Sequence, residues 1–345
     1  MEWNNIHRSF RLNDISFNSV NELIKYSEIS SKELSFFLKE WFSDEDFIKV
    51  NTSGSTGKPK TIFLKKEYVI NSAKATGSFF GLSKNTNALL CLPTTYIAGK
   101  LMVVRALILG WHLDVVLTSL HPLNNVNKQY DFSAMTPMQV ENSFYNLNTI
   151  KQLIVGGGAV SKSLEEKLQT LKTKVFATYG MTETITHIAV KKLNHKIYTP
   201  NYYQLLPGVE IYKDQRDCLV IKAPKITDDI IFTNDVVQLI SDKQFNWLGR
   251  FDNVINSGGI KLQPEVIENK LSNVLTNRFF VTGFSDEYLG EKLVLIVEGK
   301  ETKINFTKSN LTKYEVPKTI YFLDGFIETE TGKVNRKQTK LLLEK

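Results

Sequence analysis

Phe47-Ile-Lys-Val-Asn-Thr-Ser-Gly-Ser-Thr-Gly-Lys-Pro-Lys-Thr-Ile-Phe-Leu64 reads as a strand, a glycine and hydroxyl loop over Asn51–Lys60, and a returning strand. Gly54 and Gly57 carry no side chain and can turn consecutive backbone N–H groups toward oxyanions. Ser53, Ser55 and Thr56 add hydroxyl donors, and Lys58 or Lys60 adds positive charge. Such a loop suits a nucleoside triphosphate, although Gly, Ser and Thr also cluster in ordinary surface turns. It is not the Gly-x-x-x-x-Gly-Lys-Ser/Thr phosphate loop, because Gly57-Lys58 is followed by Pro59.

Upstream of this stretch, residues 17–42 place apolar side chains at helical spacing. Downstream, a helix is expected over 66–80, then strands at Ala88–Leu92, His112–Leu117, Phe132–Met135, Gln152–Val155 and Val175–Thr178, with helices at Lys100–Leu109 and Leu164–Leu171. This rhythm argues for a layered α/β domain with parallel strands. Ligands of such sheets bind in loops beyond the carboxyl ends of the strands. Gly156-Gly-Gly158 and Thr178-Tyr-Gly-Met-Thr-Glu-Thr184 each follow a predicted strand and fall in that place. After residue 200, short strands separated by Pro and Gly (Leu219–Lys222, Val236–Ile240) predict a β-rich closing region. The last stretch has its own helix (Pro264–Val274), strands (Val281–Phe284, Leu293–Val297, Thr319–Phe322) and a lysine-rich C-terminal helix, enough for a small separate α+β core. The expected fold class is α/β, with a large layered N-terminal domain over 1–249 and a small C-terminal domain over 250–345.

With 345 residues, 42% hydrophobic and 23% charged, the chain can bury two cores and does not have a disordered composition. A formal charge of +7 and a pI near 9.1 favour polyanionic partners, a role that nucleotides or CoA fill as well as DNA. The basic residues are dispersed. The densest runs, Lys191-Lys192 and Lys333–Lys345, lack the aromatic interleaving of a nucleic-acid surface. Cys91 and Cys218 stand far apart without ligand spacing, so neither a disulfide framework nor a structural zinc site is supported. Glu2-Trp3-Asn4-Asn5 does not open a secretory signal, and the apolar run Leu101–Leu117 is broken by Arg105, His112 and Asp114. A cytoplasmic chain without membrane insertion is expected.

Thr52-Ser-Gly-Ser-Thr-Gly-Lys-Pro-Lys60 resembles the signature of the acyl-adenylate-forming family, which includes acyl-CoA synthetases, nonribosomal peptide adenylation domains and luciferases. Further segments resemble its other motifs: Gly156-Gly-Gly158, Tyr179-Gly-Met-Thr-Glu-Thr184, Thr233-Asn-Asp235, Gly249-Arg-Phe-Asp-Asn-Val-Ile-Asn-Ser-Gly-Gly259 and Gly332-Lys333-Val-Asn-Arg336. The resemblance implies that Thr52, Ser53, Gly54, Ser55, Thr56, Gly57 and Lys60 hold the ATP phosphates, and that Gly156, Gly157 and Gly158 border the adenine. Tyr179 then stacks on the base beside Gly180 and Met181, Thr182 donates to a phosphate oxygen, and Glu183 holds magnesium. Asp235 accepts from the ribose hydroxyls, with Asn234 in place of the usual glycine, and Arg250 reaches the ribose. Asp252 is the pivot of a mobile small domain, and Ser257, Gly258 and Gly259 line the CoA entry. Lys333 contacts both the carboxylate and the α-phosphate, although Ile327-Glu-Thr-Glu330 replaces the usual segment before it. Singly, Tyr179 is readable as a buried turn residue, Arg250 and Asp252 as a surface ion pair, and Lys333 as an exposed tail lysine.

The implied chemistry has two halves. A carboxylate attacks the α-phosphorus of MgATP to give an acyl-adenylate and pyrophosphate; the small domain then rotates and the CoA thiol displaces AMP. Leu92-Pro-Thr-Thr-Tyr-Ile-Ala-Gly99 and the Gly156-Gly-Gly-Ala159 context most resemble the o-succinylbenzoate-CoA ligases of menaquinone synthesis, in a version with a short region before the glycine loop. Tyr96 stands where relatives commonly have His. A second carboxylate on the substrate requires a cation or several donors in its pocket, and Lys100, Arg105, Thr186 and His187 are candidates. The acyl pocket is expected to involve Tyr96, Lys100, Thr186 and His187, near Met135-Thr-Pro-Met138. The alternatives are a fatty or aryl acyl-CoA synthetase, or a stand-alone adenylation enzyme loading a carrier protein, against which counts the expectation that no carrier domain follows Lys345. A nucleotide-binding protein without activity is a third. Expected partners are a small carboxylic acid, ATP and CoA, with no nucleic acid; homo-oligomerisation is left open.

Overall fold

Residues 17–42 fold as two helices, α1 (Val20–Ser30) and α2 (Lys32–Trp41), because Ser31 is extended (φ −161°) and accepts the Leu34 N–H through its hydroxyl. One serine thus ends the first helix and caps the second. The computed structural model describes residues 2–51, 61–195, 202–328 and 334–343. Its contacts divide the chain into two units: Met1–Ile211 with Ile221–Ile231 and Ile240–Phe245, and Tyr212–Val220 with Phe232–Leu239 and Asn246–Lys345. These contact units do not coincide with the 1–249 and 250–345 division expected from the hinge motif, which concerns motion.

The first unit continues with β1 (Arg11–Leu12), β2 (Phe47–Asn51), β3 (Thr61–Lys65), α3 (Lys66–Phe80), β4 (Asn87–Leu90), α4 (Ile97–Leu109), β5 (His112–Val115), β6 (Tyr130–Met135), α5 (Pro137–Asn142), β7 (Ile150–Val155), α6 (Lys162–Leu168), β8 (Lys174–Gly180), β9 (His187–Lys192) and β10 (Tyr203–Leu205). β2 and β3 pair antiparallel with Val50 opposite Ile62, as the opening stretch predicts, in a two-stranded sheet of their own. The main sheet runs β1-β5-β4-β6-β7-β8 with every pairing parallel, and β9 and β10 then add antiparallel. After β4 the chain crosses first to one side (β5) and then to the other (β6), which makes a switch point between β4 and β6. The loops that leave β4, β6, β7 and β8 carry Leu92–Gly99, Thr136–Met138, Gly156–Gly158 and Met181–Thr184. The topology therefore gathers four of the sequence motifs at the carboxyl edge of one sheet. α4 is buried along its length from Gly99 to Leu107, which explains why its sequence, Lys100 and Arg105 apart, is apolar on all faces.

Four strands follow, β11 (Glu210–Lys213), β12 (Cys218–Lys222), β13 (Ile230–Ser241) and β14 (Gln244–Arg250). They are the β-rich region expected after residue 200. The remaining elements are β15 (Ile255–Ser257), β16 (Ile260–Leu262), α7 (Pro264–Leu271), β17 (Phe279–Asp286), β18 (Gly290–Glu298), β19 (Thr319–Leu323) and α8 (Arg336–Leu341). Their sheet runs β16-β15-β18-β17, with β19 parallel to β18. Its core holds Ile255, Ile267, Leu271, Val281, Leu293 and Leu295.

Within this second unit α7 presents Glu265 and Glu268 to Arg336, whose Nη2 lies 2.7 Å from Glu268 Oε2 and whose Nη1 lies 4.0 Å from Glu265 Oε1. Glu268 Oε1 also accepts the Val281 N–H at 2.9 Å. Burial outweighs these contacts and pushes the Glu268 carboxyl up to about 7 from its ordinary 4.5, with Glu265 adding repulsion. A raised carboxyl favours the protonated folded state, so stability should fall as pH rises from 4.5 through about 7 and stay flat above. Urea titrations across that window should show a loss of about 3 kcal/mol in the wild type. Glu268→Gln should remove the slope.

Candidate active site

Tyr179-Gly-Met-Thr-Glu-Thr184 connects β8 to β9. Tyr179 and Gly180 end β8, and Thr182–Thr184 form a single 3-10 turn. Thr184 is buried, and its Oγ1 takes the Met181 N–H at 3.0 Å. The chain then reverses at Ile185, a buried β-branched residue held at φ 65°, ψ −54°, with the Thr186 N–H bonded to Thr184 O at 2.7 Å. This is the rare positive-φ γ-turn, strained for any L residue and most of all for isoleucine. The reversal pairs His187 with Gly180. A Cβ on residue 180 would lie 2.2 Å from Thr186 O, so the motif needs glycine there. No local sequence signal announces the γ-turn, yet it aims Thr186 and His187.

Glu183 is exposed on this turn and has no hydrogen bond or ion pair among the described residues. No group of three or more His, Cys, Asp or Glu side chains gathers among the described residues to hold a metal alone. One unpaired carboxylate fits Mg²⁺ that completes its shell from phosphates and water. The Tyr179 ring meets Phe245 at 5.1 Å and Tyr203 at 5.7 Å, both edge-on, which fixes its plane.

Behind the turn, α4 carries Arg105, 1% exposed. Its Nη2 is 3.5 Å from Thr186 Oγ1 and its Nη1 is 3.6 Å from Met102 Sδ, while Nε is buried without a partner. No carboxylate pairs with it among the described residues. Burial lowers the guanidinium to about 9. His187 Nδ1 lies 3.3 Å from Thr186 Oγ1, and its Nε2 is buried without a partner. Burial first and the Arg105 charge second hold His187 well below the ordinary imidazole value, so it is neutral at pH 7. His187 and Ile188 border a cavity of about 270 Å³ that is also lined by Asn71, Ser72 and Ala75 of α3 and by Leu206.

Lys100, expected in the acyl pocket, is occupied elsewhere. Its Nζ sits 2.6 Å from Glu40 Oε2 and 2.8 Å from Lys49 O, over the Phe37 ring. Glu40 Oε1 in turn accepts the Lys49 N–H at 2.6 Å. The pair fastens β2 to α2, which makes Lys100 an anchor of the hairpin that carries the glycine loop. Breaking a largely buried pair leaves the partner charge stranded, so Lys100→Met should cost about 3 kcal/mol in urea unfolding. Tyr96 and Met138 are 58% and 61% exposed, so neither is part of a closed pocket wall. Thr136 caps α5 in a capping box with Gln139.

In the second unit the Thr-Asn-Asp segment lies on β13. Asp235 is buried, receives the Trp247 indole N–H at 3.0 Å, and has Arg250 Nη1 3.6 Å from the same oxygen. Arg250 Nη2 reaches Asp252 Oδ2 at 3.3 Å. Trp247, and Arg216, whose Nη1 donates to Asn234 Oδ1 at 2.9 Å, are neighbours of this segment that sequence reasoning missed. Ser257 ends β15 opposite Ile260, and Gly258 (φ 57°) and Gly259 (φ 80°) make the two-residue turn between β15 and β16. That turn supplies a structural need for both glycines. Thr52, Ser53, Gly54, Ser55, Thr56, Gly57, Lys60 and Lys333 lie outside the described residues.

A parallel sheet with a switch point and motif loops at its carboxyl edge is the layout of a nucleotide-binding enzyme fold. Residues 44–218, half of the chain, match the model of the AMP-binding enzyme family, and the chain belongs to that family. A 2-succinylbenzoate–CoA ligase of Lactococcus lactis is 27% identical over 95% of this chain and 78% of its own length. The acyl-CoA synthetase (AMP-forming)/AMP-acid ligase II-like protein of Dyadobacter fermentans has a solved structure 35% identical to this chain, with a TM-score of 0.62 over 90% of this chain and 93% of that one. The o-succinylbenzoate CoA synthetase of Bacillus subtilis, solved with its acyl-adenylate intermediate, superposes with a TM-score of 0.74 over 93% of this chain and 81% of that one. At 19% identity it shows the shared fold. No helix among the described residues is long and apolar enough to cross a membrane.

Proposed function

We propose that the protein is an AMP-forming acid–CoA ligase, acting in the cytoplasm, that converts o-succinylbenzoate to its CoA thioester through an acyl-adenylate, as the names of its relatives suggest. One observation carries the choice of acid. Arg105 is a fully buried cation with no carboxylate partner among the described residues, set beside Thr186 and a neutral His187. An unpaired buried guanidinium costs several kcal/mol, and a substrate that brings a second carboxylate offsets that cost. A monocarboxylic acid leaves it unpaired.

In this reading the glycine loop holds the β and γ phosphates, Tyr179 and Gly156–Gly158 hold the adenine, and Asp235 and Arg250 hold the ribose. Thr182 donates to a phosphate oxygen. Mg²⁺, held through Glu183, neutralises phosphate charge when bound. Lys333 balances the charge that develops as the acid carboxylate oxygen attacks the α-phosphorus and pyrophosphate leaves. The CoA thiol then enters past Ser257–Gly259 and attacks the acyl carbon, expelling AMP. Asp252 is the pivot between 1–249 and 250–345 for that exchange. Pyrophosphate release from MgATP, measured with o-succinylbenzoate, benzoate and medium-chain fatty acids with and without CoA, tests the reading. Turnover should be selective for o-succinylbenzoate and completed by CoA; preference for a monocarboxylic acid would remove the role given to Arg105.

A further inference from the structure

Asn234 stands where the family motif has glycine, and β13 runs through it without left-handed backbone, so glycine's conformational freedom is not required. Asparagine adds a bridge. Its Oδ1 accepts from Arg216 Nη1 at 2.9 Å, and its Nδ2 faces the Asp252 carboxylate, 3.3 Å from Oδ2 and 3.5 Å from Oδ1. Arg216 is itself fixed on three sides: Nε donates to Asp214 Oδ2 at 2.8 Å, Nη2 donates to Thr233 O at 3.1 Å, and the guanidinium lies 5.3 Å from the Phe251 ring centre. The arginine orients the amide so that its N–H₂ end points at Asp252. Arg250 holds the same carboxylate oxygen at 3.3 Å and reaches Asp235 at 3.6 Å. A continuous polar path therefore joins the ribose-side carboxylate, Asp235, to Asp252 and on to Arg216.

The geometry points to Asn234 and Arg216 as positioning residues that clasp the Asp252 side chain and slow the passage from adenylate formation to thioester formation, an inference that rests on the ligase reading above, in which Asp252 is the pivot. A pivot residue must change its backbone angles during the exchange. A side chain held by an oriented amide donor has to be released first, and each hydrogen bond to a charged group that breaks on the way raises the barrier. A glycine at 234 offers no such donor. These groups are partly exposed to water, so the effect is a few-fold change in one step and leaves the chemistry of either half untouched.

Single-turnover kinetics separate the steps. With MgATP, CoA and whichever acid of the panel gives the largest pyrophosphate release, the full chain is compared with Asn234→Gly, Asn234→Asp and Arg216→Met. The pyrophosphate burst should stay within about twofold of wild type, while CoA thioester formation accelerates about three- to tenfold in Asn234→Gly. Asn234→Asp keeps the acceptor for Arg216 but sets a carboxylate against Asp252, and should accelerate the step at least as much. Equal thioester rates in wild type and both Asn234 variants would overturn the clasp while leaving the ligase reading intact. So would a burst that falls in parallel with the thioester step, since a merely structural role moves both. A wild type that releases no pyrophosphate with any acid would defeat the ligase reading and the clasp together.

Discussion

Replacing Lys333 with alanine is expected to slow adenylate formation by about 10²–10³-fold, the effect typical of losing one preorganised charge at a transition state. Thioester formation from separately prepared acyl-adenylate and CoA should remain within about threefold of wild type, because in the proposed mechanism the lysine acts only while the α-phosphate is being attacked. Pyrophosphate release and thioester formation, assayed separately, give the two numbers. Equal losses in both would make Lys333 a general structural residue and remove it from the chemistry.

The second large effect concerns Arg105. Arg105→Met should lower kcat/KM for o-succinylbenzoate by about 10²–10³-fold, the cost of leaving unpaired the second carboxylate that Arg105 is proposed to hold. Benzoate, which has no second carboxylate, should lose little. The same substitution should stabilise the unliganded protein by about 1–3 kcal/mol in urea unfolding, since it replaces a buried lone charge with an apolar side chain of similar length. The pH dependence follows from the depressed guanidinium. The folded state carries the penalty in full below about 9, and the penalty eases as pH rises from there toward the ordinary guanidinium value. A variant that lost both activity and stability would show Arg105 to be a structural cation.

Much of the fold was legible because its signals are local. The alternation of strands and helices between residues 88 and 178 set the parallel sheet, and each motif followed a strand by a residue or two, so its place at the carboxyl edge came with the topology. The capping box of Thr136 and Gln139 was also readable in the sequence and marks α5, which was not anticipated. The break at Ser31 was harder, since a serine between two apolar helical repeats looks like a continuation until its side chain turns back to cap.

The site was less legible wherever a side chain's partner is remote. Lys100 looked like a pocket cation from its neighbours in sequence, but Glu40, sixty residues earlier, takes its charge. Asp235 was found from its motif, while Trp247 became its partner through the fold of β13 and β14, which no local pattern signals. The γ-turn at Ile185 runs against residue preference, as strained turns at functional sites do, and could only be seen in the backbone. Arg105 was named among several candidates; its isolation from every carboxylate described is what sets it apart.

The central claim is that this chain activates o-succinylbenzoate as an adenylate and passes it to CoA. Mass spectrometry of the purified protein incubated with MgATP and o-succinylbenzoate, before and after CoA is added, tests it most directly. The account predicts an o-succinylbenzoyl-adenylate that accumulates without CoA and is converted to the CoA thioester with release of AMP when CoA is supplied. ADP and phosphate in place of AMP and pyrophosphate, or an adenylate that CoA leaves unconsumed, would contradict it.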